Sequence, residues 1–303
     1  MSPDASWSCI SCCPTECLRH DTGGRRRASG RSCRQGRRPP QGRPSEPPSI
    51  IDDYDVLISI SNESETAERN AVKKLAKENV EAILLAPVNK PLSDTKYSSW
   101  LENLDIPLVF ISAKHGCINR PVVMCDLCGG MHELTMHVAG TGVKRIALLT
   151  GPENVFTLDL RKQGFVEAAM QTGFVPNIYY LPEVTYRAAY EKAFNDISRD
   201  MPDALICVND MMALGVVNAF SAKGIRVPDD ILVAGFDDSI FAAVSEVPLT
   251  TVVQDISQIA AKSVETTKAL IRGATVEQEQ FIKCRLVERV STSRNPMQQI
   301  HDE

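Results

Sequence analysis

From residue 50 to about residue 294, short apolar runs alternate with longer stretches of helical periodicity. The runs lie at 55–60 (DVLISI), 82–86 (AILLA), 107–112 (PLVFIS), 121–125 (PVVMC), 145–150 (RIALLT), 177–181, 203–208 (DALICV), 231–236 (ILVAGF) and 249–253 (LTTVV). Most are apolar throughout and do not alternate with polar residues, as expected of parallel strands covered on both faces. Helical patterns are predicted between them, at 64–79, 92–103, 129–141, 157–173, 185–199, 210–224 and 256–272. In the last, Ile256, Ile259, Ala260, Val264 and Ala269 fall on one stripe and Gly273 provides the stop. Regular β/α alternation over about 240 residues predicts an α/β fold of two doubly wound parallel-sheet units. In such sheets ligands bind at the carboxyl ends of the strands.

Residues 1–49 read differently. They contain RRR, RR and two PP pairs among many Gly, Ser and Cys, with almost no apolar periodicity. Such a stretch buries too little surface to offset its chain entropy and is expected to be disordered. One reading is a basic nucleic-acid arm; the other is an aberrant, out-of-frame start. Arg without Lys, set beside Cys, Pro and Gly, favours the second. The first fifty residues hold nine Arg against four acidic residues, a balance of +5, so the remainder carries -10 of the chain's -5 total. An acidic remainder is a poor surface for phosphate neutralisation. No apolar run approaches the roughly 20 residues needed to span a bilayer. No basic stretch followed by an apolar one opens the chain, so a cytoplasmic protein is expected.

Three predicted strands end in polar residues that suit a binding cleft. Asn209-Asp210 follow the strand 203–208 and start a helix, so one can cap it while the other points outward. Asp237-Asp238 follow 231–236, and Gln254-Asp255 follow 249–253. Carboxylates and amides on neighbouring strand ends suit pairs of hydroxyl groups. Taken singly, each residue also reads as a cap or turn former.

The stretch VNDMMALGVVNAFSAKGIRVPDDILVAGFDDSIFAAVSEVPLTTVVQD resembles the LacI/GalR family of bacterial transcription regulators. It follows that family's N-D-x-x-A-x-G helix start, its G-x-x-V-P-x-D-I-x-V-x-G-F-D-D turn and strand, and its P-x-L-T-T-V-x-Q crossover. Upstream, LRKQGFVEAAMQTGF resembles the family's R-x-x-G-F helix and VEAILLAP its V-D-G-I-I-L strand. The resemblance spans residues 50–294. It implies two Rossmann-like subdomains of the type I periplasmic-binding-protein kind, with a small-molecule effector, a sugar or similar, between them. It implies effector contacts from Asp126, Arg161, Asn209, Asp237 and Gln254, with Phe156 or Phe236 stacking on a sugar face or simply filling the core. It further implies a homodimer that reads operator DNA, with no cofactor, metal or membrane partner. The subdomains are expected at 50–141 plus 255–275 and at 142–254 plus 276–294, with a tail at 295–303.

The resemblance fails at the start. Nothing in 1–49 resembles the family's helix-turn-helix, so operator binding by this chain is doubtful. The match also begins at IIDDYDVLIS, after the position of the family's first strand. The first subdomain is therefore expected to be incomplete, with an unpaired gap in its sheet. No motif favours an enzyme: GxSxG, a P-loop and HExxH are all lacking. His132 and His137 stand five residues apart, a poor ligand spacing. Cys125-x-x-Cys128 is a lone pair, where structural zinc wants a second one, so buried apolar thiols are the plainer reading. Two other classes stay open: a stand-alone sugar-binding protein of a transport system, and a non-functional repressor remnant. Gel shifts with the gene's own upstream DNA test the DNA reading. Sequence-blind binding that fades steeply with salt is expected from the Arg-rich segment; competitor-resistant binding at about 150 mM salt, where the Debye length is about 8 Å, would show a reading head.

Overall fold

The computed structural model describes residues 6–11, 54–90, 95–116 and 118–293. In chain order these form β1 (Ser6–Ser11), β2 (Asp55–Ile60), α1 (Glu65–Lys77), β3 (Ala82–Leu85), α2 (Thr95–Glu102), β4 (Leu108–Ile111), β5 (Val122–Cys125) and α3 (Leu127–Gly140). They continue with β6 (Ile146–Thr150), α4 (Phe156–Thr172), β7 (Asn177–Tyr180), α5 (Tyr186–Asn195), β8 (Ala204–Cys207), α6 (Asp210–Ser221), β9 (Leu232–Ala234) and α7 (Ile240–Val244). The last elements are β10 (Thr251–Val253), α8 (Ile256–Ile271), β11 (Glu279–Ile282) and β12 (Arg285–Val287).

The strands build two parallel sheets, as the uninterrupted apolar runs predict. The first has the order β11-β5-β4-β3-β1-β2 and the second β7-β6-β8-β9. Bridges from Ala234 to Thr250 and from Asp237 to Val253 extend the second sheet to β10, which β12 joins antiparallel. Every residue of β3, β5, β6 and β8 is buried. At roughly 25 cal/mol per Å² of apolar surface, these inner strands dominate the stabilisation.

The structure corrects the expected subdomain boundaries. After β5 the chain leaves the first sheet at once, because α3 packs along α4 and against β10 and β12. The first crossing therefore lies at Cys125–Leu127 and not near residue 141. Gly164 explains the close fit of α3 on α4: a Cβ there would stand 2.1 Å from the Cys128 carbonyl oxygen. Helix α8 covers β3, β4 and β5, which puts the second crossing at Gln254–Asp255. Residues 276–294, expected in the second lobe, divide between the two. Residues 279–282 pair with β5 in the first sheet, and 285–287 pair with β10. Lys283 and Cys284 alone make the third crossing.

The expected gap in the first sheet is filled. Ser6–Ser11 pairs with β2 over six residues and with β3 over four, both parallel. The expectation of disorder thus fails for these six residues, because a parallel sheet leaves an inner slot whose ladder hydrogen bonds any extended segment can satisfy. Most of the Arg-rich stretch and the tail from residue 294 lie outside the described residues. β2 remains the edge strand and is poorly covered, with Ile58 71% exposed and Ile60 61% exposed. By hydrogen exchange, the amides of β6 and β8 should be the slowest in the chain and those of β2 the fastest among the strands. Equal protection of β2 and β8 would contradict this ranking of the two sheets.

Candidate functional site

The cleft between the lobes is lined by the carboxyl ends of both sheets. Asp237 stands at the carboxyl end of the second sheet, just after β9. Gly235-Phe236 follow β9, and the chain then turns through two non-glycine residues with positive φ, Asp237 at 103° and Asp238 at 51°. Such backbone costs on the order of 1–3 kcal/mol per residue and persists only where the surroundings fix it. Here they do. The Asp237 N–H donates to the Val252 carbonyl at 2.9 Å, and Asp238 takes a 2.7 Å ion pair from Arg289. Gly235 allows the turn to pack, since a Cβ there would meet Asp210 Oδ1 at 2.3 Å.

The turn delivers the Asp237 carboxylate to two donors from different elements. Arg161 Nη2, on α4, donates to Asp237 Oδ1 at 2.8 Å, and Gln254 Nε2, on the second crossing, donates to the same oxygen at 2.7 Å. Arg161 is nearly buried and its guanidinium lies 4.4 Å from the centroid of the Phe236 ring. Its Nε–H is buried without a partner among the described residues. Burial raises the Asp237 carboxyl above its usual range, while Arg161 and the Gln254 hydrogen bond pull it down. The second carboxylate oxygen is not engaged by any described residue.

Asp210 supports this centre from below. It is buried; Oδ1 accepts the Thr251 hydroxyl at 2.6 Å and Oδ2 accepts the Ser239 N–H at 2.6 Å. These bonds tie α6 to β10 and to the start of α7. Burial pushes the Asp210 carboxyl up to about 6, with the charge of Asp237 adding and the Thr251 and Ser239 hydrogen bonds opposing.

Of the five residues that the resemblance implies, the structure brings Arg161, Asp237 and Gln254 into one hydrogen-bonded cluster. Asn209 and Asp126 stand apart from it as helix caps. Asn209 Oδ1 accepts the Met212 N–H at 2.8 Å, and Asp126 Oδ1 accepts the Gly129 N–H at 2.8 Å. Each nevertheless sits at a strand end on the cleft side, Asp126 on the first crossing. Phe236 is fully buried beneath Arg161, so its face serves the guanidinium and no ligand. Phe156 is only half-buried and faces Lys114 of the opposite lobe, 5.7 Å from ring centroid to Nζ.

The sequence reading missed the first lobe's contribution. Asn89 Oδ1, on the loop after β3, accepts the Thr157 hydroxyl at 2.9 Å across the cleft. That loop is pinned by Glu68, fully buried on α1. Its Oε2 accepts the Val88 N–H at 2.6 Å, while Oε1 accepts the Tyr97 hydroxyl at 2.9 Å and lies 3.0 Å from His115 Nε2. The signal was available: Asn89 follows an apolar strand as Asn209 does.

Two lobes, three crossings and a charged cluster in the intervening cleft define a hinged small-molecule-binding protein. Residues 135–292 match the family model of the periplasmic binding protein-like domain, and the chain belongs to that family. Its relatives include LacI-type transcription regulators. It is 27% identical over 235 residues to the arabinose metabolism transcriptional repressor of Geobacillus stearothermophilus, which covers 74% of this chain. The chain spans 64% of that repressor's length. Among solved structures it resembles the cellobiose complex of the transcriptional regulator CelR, with 25% identity, a TM-score of 0.71 and coverage of 79% of this chain and 74% of that one. It equally resembles the lac repressor dimer bound to operator and an anti-inducer, with 25% identity, a TM-score of 0.71 and coverage of 80% and 85%. Among the described residues no helix is long and apolar enough to cross a membrane, and no cluster of three or more His, Cys, Asp or Glu could hold a metal ion.

The raised Asp210 carboxyl makes stability depend on pH. The folded state holds this proton more tightly than the unfolded chain, so the contribution is fully present below the usual value of 3.8 and is lost as pH rises through about 6. The loss is on the order of 3 kcal/mol, at 1.36 kcal/mol per unit. Asp210→Asn keeps an amide in place of the acid and should flatten urea-midpoint profiles between about pH 4 and 6. An unchanged slope in that variant would remove Asp210 as its source.

Proposed function

We propose that this chain is the effector-binding core of a LacI-type DNA-binding transcriptional regulator. Its effector, a sugar or a similarly hydroxylated small molecule, binds between the lobes. The observation that carries the reading is the convergence of Arg161 and Gln254 on one oxygen of Asp237 at the cleft centre. The free carboxylate oxygen accepts from a ligand hydroxyl, and Arg161 supplies a fixed donor fork. Asp126 and Asn209, at the rims of β5 and β8, complete the proposed effector set with Arg161, Asp237 and Gln254. The cluster holds one cation and one anion, which suits an uncharged ligand.

In this reading the effector selects a degree of lobe closure, and closure is read elsewhere in the assembly. A homodimer is supported by α7, where Ile240 and Val244 are 73% and 70% exposed and Phe241 adds a third apolar side chain. Operator DNA is the proposed partner of the complete assembly and cytoplasm its proposed site. The proposal includes no chemical step: Asp237 is held by Arg161 and Gln254 as a binding group.

Titration calorimetry against pentoses, hexoses, disaccharides and nucleobases tests the reading. Asp237→Asn suits the positive φ, removes the charge and turns one acceptor oxygen into an amide donor. Each charge-assisted hydrogen bond is worth roughly 1.5–3 kcal/mol, so about a tenfold or larger loss of affinity is expected, with the fold retained. A variant that binds as the wild type does would remove Asp237 from the site, and binding confined to nucleobases would reject the sugar class.

A further inference from the structure

The pair Cys125-x-x-Cys128 has the spacing of a redox motif, yet the structure turns its members apart. Cys128 opens α3, partly exposed, with its Sγ 3.6 Å from Glu167. Cys125 ends β5 and is fully buried. Its neighbour is Cys284, also buried, on the third crossing. The backbone enforces this meeting. Ile282 pairs with Cys125 in the β5/β11 ladder, and the Asp126 N–H donates to the Ile282 carbonyl at 2.8 Å. Two residues on, the side chain of Cys284 swings in above α3, where its Cβ and Sγ lie 2.9 and 3.1 Å from the Cβ position of Gly130.

The electrostatics of the two sulfurs reflect their contact. Cys284 is the largest influence on Cys125 and lowers it; burial opposes, and the Asp255 backbone N–H lowers it further. Cys284 is raised, first by the adjacent Cys125 and then by burial. The Asp255 amide belongs to the second crossing. The ladder between β5 and β11 therefore sets Cys125, on the first crossing, beside Cys284, on the third.

We propose that Cys125 and Cys284 form a redox-responsive pair whose disulfide ties the first crossing to the third and fixes the hinge between the lobes. The oxidant is a peroxide. The Cys125 thiolate attacks one peroxide oxygen, the O–O bond breaks, and water leaves once the second oxygen has taken a proton, giving a sulfenic acid. The Cys284 sulfur then attacks the Cys125 sulfur, the S–O bond breaks, and its thiol proton departs with the hydroxyl as a second water. Two thiols and one hydrogen peroxide thus become one disulfide and two waters, and a dithiol reductant reverses the step. Both sulfurs are buried, so the reaction proceeds when the hinge opens and the bond then holds it. This inference does not depend on what the cleft binds.

The test uses the full chain, dilute, treated with hydrogen peroxide, blocked with N-ethylmaleimide under denaturing conditions and digested without reduction. A linked peptide joining Cys125 to Cys284 in the monomeric fraction is expected. Hydrogen exchange at 255–258 and 283–286 should slow severalfold on oxidation and recover with dithiothreitol, and Cys284→Ser should lose both effects. A Cys125–Cys128 link, or sulfinic acid at Cys125 with no linked peptide, would overturn the pairing. A Cys125–Cys284 link that leaves exchange at the crossings unchanged would overturn the hinge role; the wild-type mapping stands whether or not Cys284→Ser folds.

Discussion

Everything in the cleft depends on how briefly the chain passes between the lobes. The crossings at Cys125–Leu127, Gln254–Asp255 and Lys283–Cys284 join strands and helices that are regular up to their last residues. Three short parallel connections forbid separation and leave rotation as the soft motion, the hinge mode of two-lobed binding proteins. They also fix which side chains the motion can move. Asp126 and Gln254 ride on crossings, whereas Arg161 and Asp237 belong wholly to the second lobe. The Gln254–Asp237 hydrogen bond is therefore the link between the cluster and the hinge, while the Arg161–Asp237 pair is an internal fixture of one lobe.

That fixture is costly, which explains the structure built around it. A carboxylate at the end of a buried strand, on left-handed backbone, loses solvation and adopts a rare conformation together. Three features compensate. The Val252 carbonyl and the Arg289–Asp238 pair lock the turn. Phe236 lies flat beneath the guanidinium, a cation–π contact that holds Arg161 at the right height. Below, Asp210 ties β10 and the start of α7 to α6. Burial and the charge of Asp237 both raise the Asp210 carboxyl, while Arg161 and Gln254 hold Asp237 against its own burial.

The sheets, most helices and the central cluster were legible because they rest on patterns that local sequence carries: uninterrupted apolar strands, and polar residues at their carboxyl ends. Asp237 and Gln254 stand at strand ends and Arg161 came from the family resemblance; the structure joins the three in one hydrogen-bonded cluster. What failed was set by tertiary contact. Asn209 and Asp210 were interchangeable as sequence, and only packing decided that Asn209 caps α6 while Asp210 is buried. The lobe boundary at Cys125–Leu127 was hidden because α3 looks like any helix after a strand; its allegiance is fixed by the Gly164 contact with the Cys128 carbonyl, 36 positions away in sequence. Residues 276–294 read as part of one lobe, although 279–282 and 285–287 serve different sheets. Asn89 follows an apolar strand, but its pairing with Thr157 exists only because two lobes face each other.

The first lobe is the weaker partner in this arrangement, and the reason lies in its order of strands. β1 is joined on both sides by chain far from it in sequence, with β2 and β3 returning only after residue 54. Loop closure over that length adds an entropic cost that the second lobe, wound from neighbouring β/α units, does not meet. The edge beyond β1 is then β2, whose apolar side chains remain largely open to water. Yet α8 and β11, the elements that carry the chain out of the second and into the third crossing, both rest on the β3–β5 part of this sheet. That inner part, buried throughout, separates the hinge from the exposed edge. Loosening at β1 and β2 can therefore spread to the Glu68 cluster and the Asn89 loop before it reaches Gln254, so closure across the cleft is more sensitive to the state of the first sheet's edge than the Arg161–Asp237 centre is.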